Sequence, residues 1–134
     1  MPSYSFHKNE RLKSRKTISR IFEEGNSLIA YPIRIAWVKQ EDQPSSTLPT
    51  VQFTQSVPKK RYAKASQRNR IRRRIREAYR LNKHLLIKAL EQEVEHSYAL
   101  MAIYIGKEEL PYEVINKATT KWIKKFVNTV KDRD

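Results

Sequence analysis

The chain contains no cysteine and only two glycines, Gly25 and Gly106. Without cysteine there are no disulfides, no thiolate nucleophile and no thiolate-held metal, and nothing calls for an oxidising compartment. Two glycines are too few for a glycine-rich phosphate loop or a flexible low-complexity chain. No apolar run approaches the roughly 20 residues of a membrane span. The opening "MPSYSFHKNERLKSRK" lacks the apolar centre of a secretory signal. The expectation is no membrane association and a cytoplasmic location. Acid is scarce as well: 14 carboxylates face 28 lysines and arginines, a net charge of +14.

What is present suits a folded protein. With 39% hydrophobic residues, 134 residues make one domain, 1–134, able to bury roughly two thirds of its unfolded surface. The positive charge is concentrated. Residues 59–83 hold twelve basic side chains against one carboxylate, Glu77, while the rest of the chain holds sixteen against thirteen. Such a local excess is what a polyanion-binding surface requires.

Residues 1–10 read as a flexible basic arm. In "SRKTISRIFEE" (14–24), Ile18, Ile21 and Phe22 recur at helical spacing, with Gly25 as a stop. "LIAYPIRIAWVKQ" (28–40) places Tyr31, Ile33, Ile35 and Trp37 on one side of a strand, with Pro32 at an edge or bulge. After the turn-rich "EDQPSSTLP" (41–49), residues 50–57 alternate again through Val51, Phe53 and Val57. These two strands read as an antiparallel hairpin. A long helix follows from Lys64 or Ser66, with Ser66 as N-cap, to about Glu95. Residues 97–105 are apolar on both faces, as in a central strand, and Gly106 ends them. A last helix after Pro111 aligns Val114, Ile115, Ala118, Trp122, Phe126 and Val130. The order αββαβα describes a small α+β sandwich, three helices on a mostly antiparallel sheet.

The stretch "RNRIRRRIREAYR" (68–80) carries seven arginines. At about 100° per residue from Ile71, an apolar stripe of Ile71, Ile75, Ala78, Tyr79, Leu85 and Leu86 faces the sheet. Arg72, Arg76, Asn69, Arg80 and Arg73 form a ridge opposite it, Arg70 and Arg74 lie on its far flank, and Arg68 lies beside the stripe, where its stem can curl outward. A merely solvated face is the plain alternative. Against it, arginines three and four apart repel, and Glu77 is their one nearby acid. Arginine outnumbers lysine here, and its planar fork suits phosphate. Nucleic acid is the favoured partner.

Here a family resemblance enters. "SVPKKRYAKASQRNRIRRRIREAYRLNK" (56–83) resembles the signature of the bacterial ribonuclease P protein subunit. Its Arg-Asn pair matches Arg68 and Asn69, and the basic residue and arginine of the next turn match Arg72 and Arg73. The arginine three residues on matches Arg76. Ala65, the "SVPKK" strand end and "RLKSRKTISRIFEEG" (11–25) fit as well, and the order of elements agrees from about residue 7 to 130. Position 72 is arginine where lysine is commoner, and the loop before the helix lacks the family's usual glycine.

The resemblance implies a left-handed βαβ crossover, against the right-handed default. It implies a protein that is not itself catalytic. The partner RNA, with bound divalent metal (Mg2+), hydrolyses precursor tRNA to give the mature 5′ end, and the protein grips the single-stranded 5′ leader. On this chain the RNA-binding set would be Lys59, Lys60, Lys64, Arg68, Asn69, Arg70, Arg72, Arg73, Arg76 and Arg80. The leader would lie in a cleft between the first helix and the sheet, against Ile18, Phe22, Ile33, Ile35 and Trp37, with Trp37 as a partly exposed ring for base stacking. The partners implied are the catalytic ribonuclease P RNA and precursor tRNA, with no obligate protein partner and no cofactor held by the protein.

The residues themselves offer no catalytic or metal site. Glu91 and Glu95 read as solvated surface around Glu93. Glu23–Glu24, Glu41–Asp42 and Glu108–Glu109 are adjacent pairs, and His7, His84 and His96 are isolated. The rival readings are a small basic ribosomal-type RNA-binding protein, a DNA-binding protein and a self-sufficient nuclease.

Overall fold

The computed structural model describes residues 6–40, 51–91 and 97–133. A short 3-10 turn (Lys8–Glu10) precedes helix α1 (Arg15–Glu24), strands β1 (Asn26–Ala30), β2 (Ile33–Gln40) and β3 (Val51–Ser56), helix α2 (Ala65–Glu91), strand β4 (Ser97–Tyr104) and helix α3 (Tyr112–Arg133). The sheet order is β1-β2-β4-β3; β1–β2 and β2–β4 are antiparallel and β3–β4 is parallel. The architecture is α+β, with β3–α2–β4 as its parallel βαβ unit. No helix among the described residues is long and apolar enough to cross a membrane.

Two expectations about the strands are corrected. The segment 28–40 is two strands, because the chain reverses at Tyr31–Pro32 and β1 folds back along β2. A proline donates no ladder hydrogen bond, so it serves the turn better than the strand. Nor do β2 and β3 form a hairpin. Strand β4 inserts between them, since it is buried on nearly its whole length and so belongs at the centre. Strand β3 is left pairing with β4 alone among the four strands. The 41–49 connection and residues 92–95 lie outside the described residues.

The sheet is covered on both sides. Ile33, Ile35, Trp37, Val51 and Phe53 point toward α2 and α3, where Ile71, Ile75, Tyr79, Trp122 and Phe126 meet them. Phe53 stacks on Tyr79 with ring centroids 3.9 Å apart, and Trp37 meets Phe126 edge-on at 5.0 Å. The alternate residues Ala36, Val38, Ala99 and Met101 face the other way, onto Ile21 of α1 and Leu12. Two stripe members differ from the helical pattern: Leu85 and Val114 are exposed. The cap of α2 differs too. The Lys64 carbonyl accepts the Arg68 N–H, so the helix begins at Ala65 with Ser66 in its first turn. Ser14 caps α1, its hydroxyl accepting the Thr17 N–H.

The N-terminal arm is docked from residue 6 onward; residues 1–5 lie outside the described residues. Phe6 sits edge-on to Phe53 and Tyr79. The Glu10 carboxylate receives the buried Lys83 ammonium at 2.6 Å and the His7 N–H at 2.7 Å. Lys83 is thereby withdrawn from the basic surface. Removing one member of a buried ion pair typically destabilises by about 3–5 kcal/mol, whereas replacing both with apolar groups is often neutral. Lys83→Met alone should therefore destabilise by about that amount in urea unfolding, and adding Glu10→Leu should recover most of the loss.

Candidate nucleic-acid interface

Burial of Ile71, Ile75 and Tyr79 contributes about 1.5–3 kcal/mol for each side chain. A repelling pair of helical charges works against folding by about 0.2–0.5 kcal/mol. The stripe therefore holds α2 in place while the arginines project outward, some onto groups of the protein itself and some not.

Four of the seven are engaged by the protein itself. One Arg68 nitrogen donates to the carbonyls of Tyr62 and Ala63, both at 2.8 Å, and so secures the turn that feeds α2. Arg70 binds the Glu109 carboxylate through two nitrogens, each at 3.0 Å. Arg74 reaches Glu109 at 2.9 Å and the Leu110 carbonyl at 3.0 Å. Arg80 forks onto Glu77 one turn back.

Sequence reasoning missed Glu109, because it lies 39 residues from Arg70 along the chain. Its placement depends on the loop after β4. The Tyr104 hydroxyl donates to the Glu108 carbonyl at 2.6 Å and accepts the Leu110 N–H at 3.0 Å. Tyr62 donates to the Gly106 carbonyl. A Cβ at Gly106 would stand 2.7 Å from the Tyr104 ring, so any side chain there would displace the ring that holds the loop. Tyr62 and Tyr104 thus anchor the loop, and burial pushes the Tyr104 hydroxyl up to about 12.

Three arginines remain for a partner. Arg72 donates to the neutral Asn69 side chain at 2.7 Å and keeps its full charge. No described carboxylate lies within ion-pair distance of Arg72, Arg73 or Arg76. Arg72, Arg73 and Arg76 form the crest. Arg73 and Arg76 line a concavity with Gln55, Asn69 and Arg72 on one side and another with Arg70, Arg74, Glu77 and Tyr112 on the other. Lys59, Lys60 and Lys64 are exposed at the strand-to-helix turn. Guanidinium forks on an open ridge can receive phosphate oxygens in pairs. Among the described residues no group of three or more His, Cys, Asp or Glu is arranged to hold a metal ion.

The five cleft candidates do not come together. Ile33, Ile35 and Trp37 face α2 and α3 and are core; Trp37 is 3% exposed. They lie on the face of β2 opposite α1, because side chains alternate along a strand. Ile18 is half-buried under α1, and Phe22 is 67% exposed. The residues that β2 turns toward α1 are Arg34, Ala36 and Val38. In sheet register, Arg34, Ile103 and Ser56 make one row across β2, β4 and β3, and Ala36, Met101 and Thr54 make the next. Helix α1 covers Ala36 and Met101, while Arg34 stays exposed and Ile103 and Ser56 half-buried. A row of the sheet beside α1 is therefore left partly open, with a cation at Arg34.

A family model described as Ribonuclease P matches residues 6–127. The chain belongs to the ribonuclease P protein family. The ribonuclease P protein component of Porphyromonas gingivalis is 35% identical over 131 residues, covering 96% of this chain and 91% of that protein. That of Pseudoalteromonas translucida is 32% identical over 127 residues, covering 94% and 80%. The solved RNase P protein of Thermotoga maritima has a TM-score of 0.63 at 22% identity, over 86% of this chain and 96% of that one. That of Staphylococcus aureus has 0.61 at 19%, over 86% and 93%. At these identities the structural likeness speaks for the fold. Membership makes this chain the protein subunit of ribonuclease P, a component of an endoribonuclease holoenzyme whose partner is RNA. The ribosomal-type alternative is not favoured.

The Glu109 contact has a pH signature. The Arg70 hydrogen bonds, helped by Gln67 and Arg74, hold the Glu109 carboxyl down at about 2, against an ordinary value of 4.5. A depressed folded-state value stabilises fully above the ordinary one and is lost as pH falls toward the lower. The stability difference between wild type and Glu109→Gln should be constant above pH 5 and shrink between about 4.5 and about 2. A difference that does not change over that window would contradict the contact.

Proposed function

We propose that the Arg72–Arg73–Arg76 crest seats on phosphates of the catalytic ribonuclease P RNA beside the cleavage site. The observation that supports this is that no described carboxylate lies within ion-pair distance of these three arginines, Glu77 acting on Arg76 only through space, in a helix whose Arg70, Arg74 and Arg80 all have such a partner. Asn69 orients Arg72, and Lys59, Lys60 and Lys64 extend the cationic path along the turn. Arg68, Arg70 and Arg80 act chiefly through the fold, holding the turn, the 105–110 loop and the helix surface. Hydrolysis is assigned to the RNA with its divalent metal, so Mg2+ is a ligand of RNA and no residue of the chain is catalytic. The cytoplasm is the compartment where precursor tRNA and these partners meet.

The 5′ leader of precursor tRNA is proposed to lie along the partly open row of the sheet beside α1. There Phe22 offers an exposed ring for stacking, worth about 1–3 kcal/mol per base and tolerant of sequence. Arg34 meets the leader backbone, and the half-buried Ile103, Thr54 and Ser56 form the floor. This set replaces Ile33, Ile35 and Trp37, which the sheet turns away from α1.

Arg73→Ala with Arg76→Ala should weaken RNA binding and flatten the dependence of log K on log salt by roughly 0.7–0.9 for each phosphate no longer neutralised. An unchanged slope in filter-binding titrations would remove the crest from the interface. Phe22→Ala should reduce affinity for precursor tRNA more than for mature tRNA. Trp37→Ala should instead lower stability by about 3–5 kcal/mol, as for a core aromatic. Equal losses for the two tRNAs with Phe22→Ala would place the leader elsewhere.

A further inference from the structure

Helix α2 changes character half-way along. Beyond Arg80 it carries no arginine, and part of its outer surface is aliphatic: Leu81 is 36% and Leu85 50% exposed, one turn apart. Leu85 and Ala89 form one wall of a groove whose other side is Ile123 and Val127 of α3. Lys121 and Lys124 stand on its rim. Lys88 and Lys117, one turn from Leu85 and Lys121, are exposed on the same two helices. Between 112 and 131 the α3 sequence has five lysines, no arginine and one carboxylate, Glu113. No carboxylate lines the groove.

A groove between two helices, walled by Leu85, Ala89, Ile123 and Val127 with Thr120 and Asn128 as its uncharged polar lining, is complementary to the apolar face of a third helix. The lysines define the rest of the occupant. Their stems lengthen the apolar walls while their ammonium heads reach over the rim, where they would meet carboxylates on the flanks of a seated helix. RNA suits the groove poorly, because the lining has no aromatic ring to stack a base and no arginine fork for phosphate. A second copy suits it poorly too, since a two-fold contact would set these lysines against their own kind.

We propose that the groove between α2 and α3 docks an acidic amphipathic helix of a protein partner, at a stretch of α2 separate from the arginine crest. The two surfaces would let the subunit hold RNA and a protein at once.

The test uses the full chain, free and bound to its RNA. The probe is a fluorescent helix-forming peptide with leucines at i, i+4 and i+7 and glutamates elsewhere. A scrambled peptide of the same composition is the control. The patterned peptide should bind saturably to both forms, and amide shifts in the isotope-labelled chain should gather at 81–89 and 120–128. Leu85→Glu should weaken this binding by about tenfold or more, as for a central interface residue. Because Leu85 is half exposed, the variant should fold and bind RNA as the parent does. The proposal is overturned if the scrambled peptide binds equally well, or if the shifts gather at 68–80. It is equally overturned if RNA displaces the peptide, if Leu85→Glu changes nothing, or if the chain forms dimers that Leu85→Glu dissolves.

Discussion

Seven guanidinium groups within thirteen residues of one helix repel one another, and where each finds its counter-charge decides what α2 can do. Glu109 takes two, Glu77 takes one, and a pair of backbone carbonyls takes a fourth. That pattern follows from architecture: the loop after β4 is pinned by Tyr104 and Tyr62, so Glu109 arrives on one flank of the helix only. The crest, on a different side of the helix, is left charged. Repulsion among its three arginines amounts to about 1 kcal/mol, small against the burial of the stripe beneath it. The fold can therefore sustain the excess until RNA neutralises it.

The second constraint is the two-sided sheet. Strand β4 is apolar on both faces, so both must be covered. Two long helices with an aromatic cluster close one side, and the ten-residue α1 closes part of the other. A helix that short leaves a row of the sheet partly open beside it. The docked N-terminal arm, held by Phe6 and the Glu10–Lys83 pair, seals the flank where β3 meets α2.

Much of this was legible in the chain. Helical spacing located α1, α2 and α3, and the apolar run at 97–105 identified β4 as central. The arginine ridge could be read because its members are near neighbours in sequence. What escaped reading was long-range. No local signal ties Glu109 to Arg70, or Glu10 to Lys83 across 73 residues. The parity of β2 was equally hidden. Beside Ile33, Ile35 and Trp37 on one face, the other face of β2 carries the apolar and likewise buried Ala36 and Val38 after the exposed Arg34, and only the positions of α1 and α3 decide which helix each set meets. Pairing of β3 with β4 rather than β2 depends on the same global choice. Family resemblance supplied the function, which charge alone would have left at nucleic-acid binding.

The account stands on the Arg72–Arg73–Arg76 crest as a phosphate-binding surface of an RNA-dependent enzyme. The most direct measurement is precursor tRNA cleavage at low magnesium with the cognate RNA subunit, adding either the parent chain or one carrying Arg73→Glu and Arg76→Glu. The parent should restore cleavage with RNA and cleave nothing alone, and the charge-reversed chain, folded by circular dichroism, should fail to restore it. Equal restoration by both chains, or cleavage by the protein without RNA, would contradict the account.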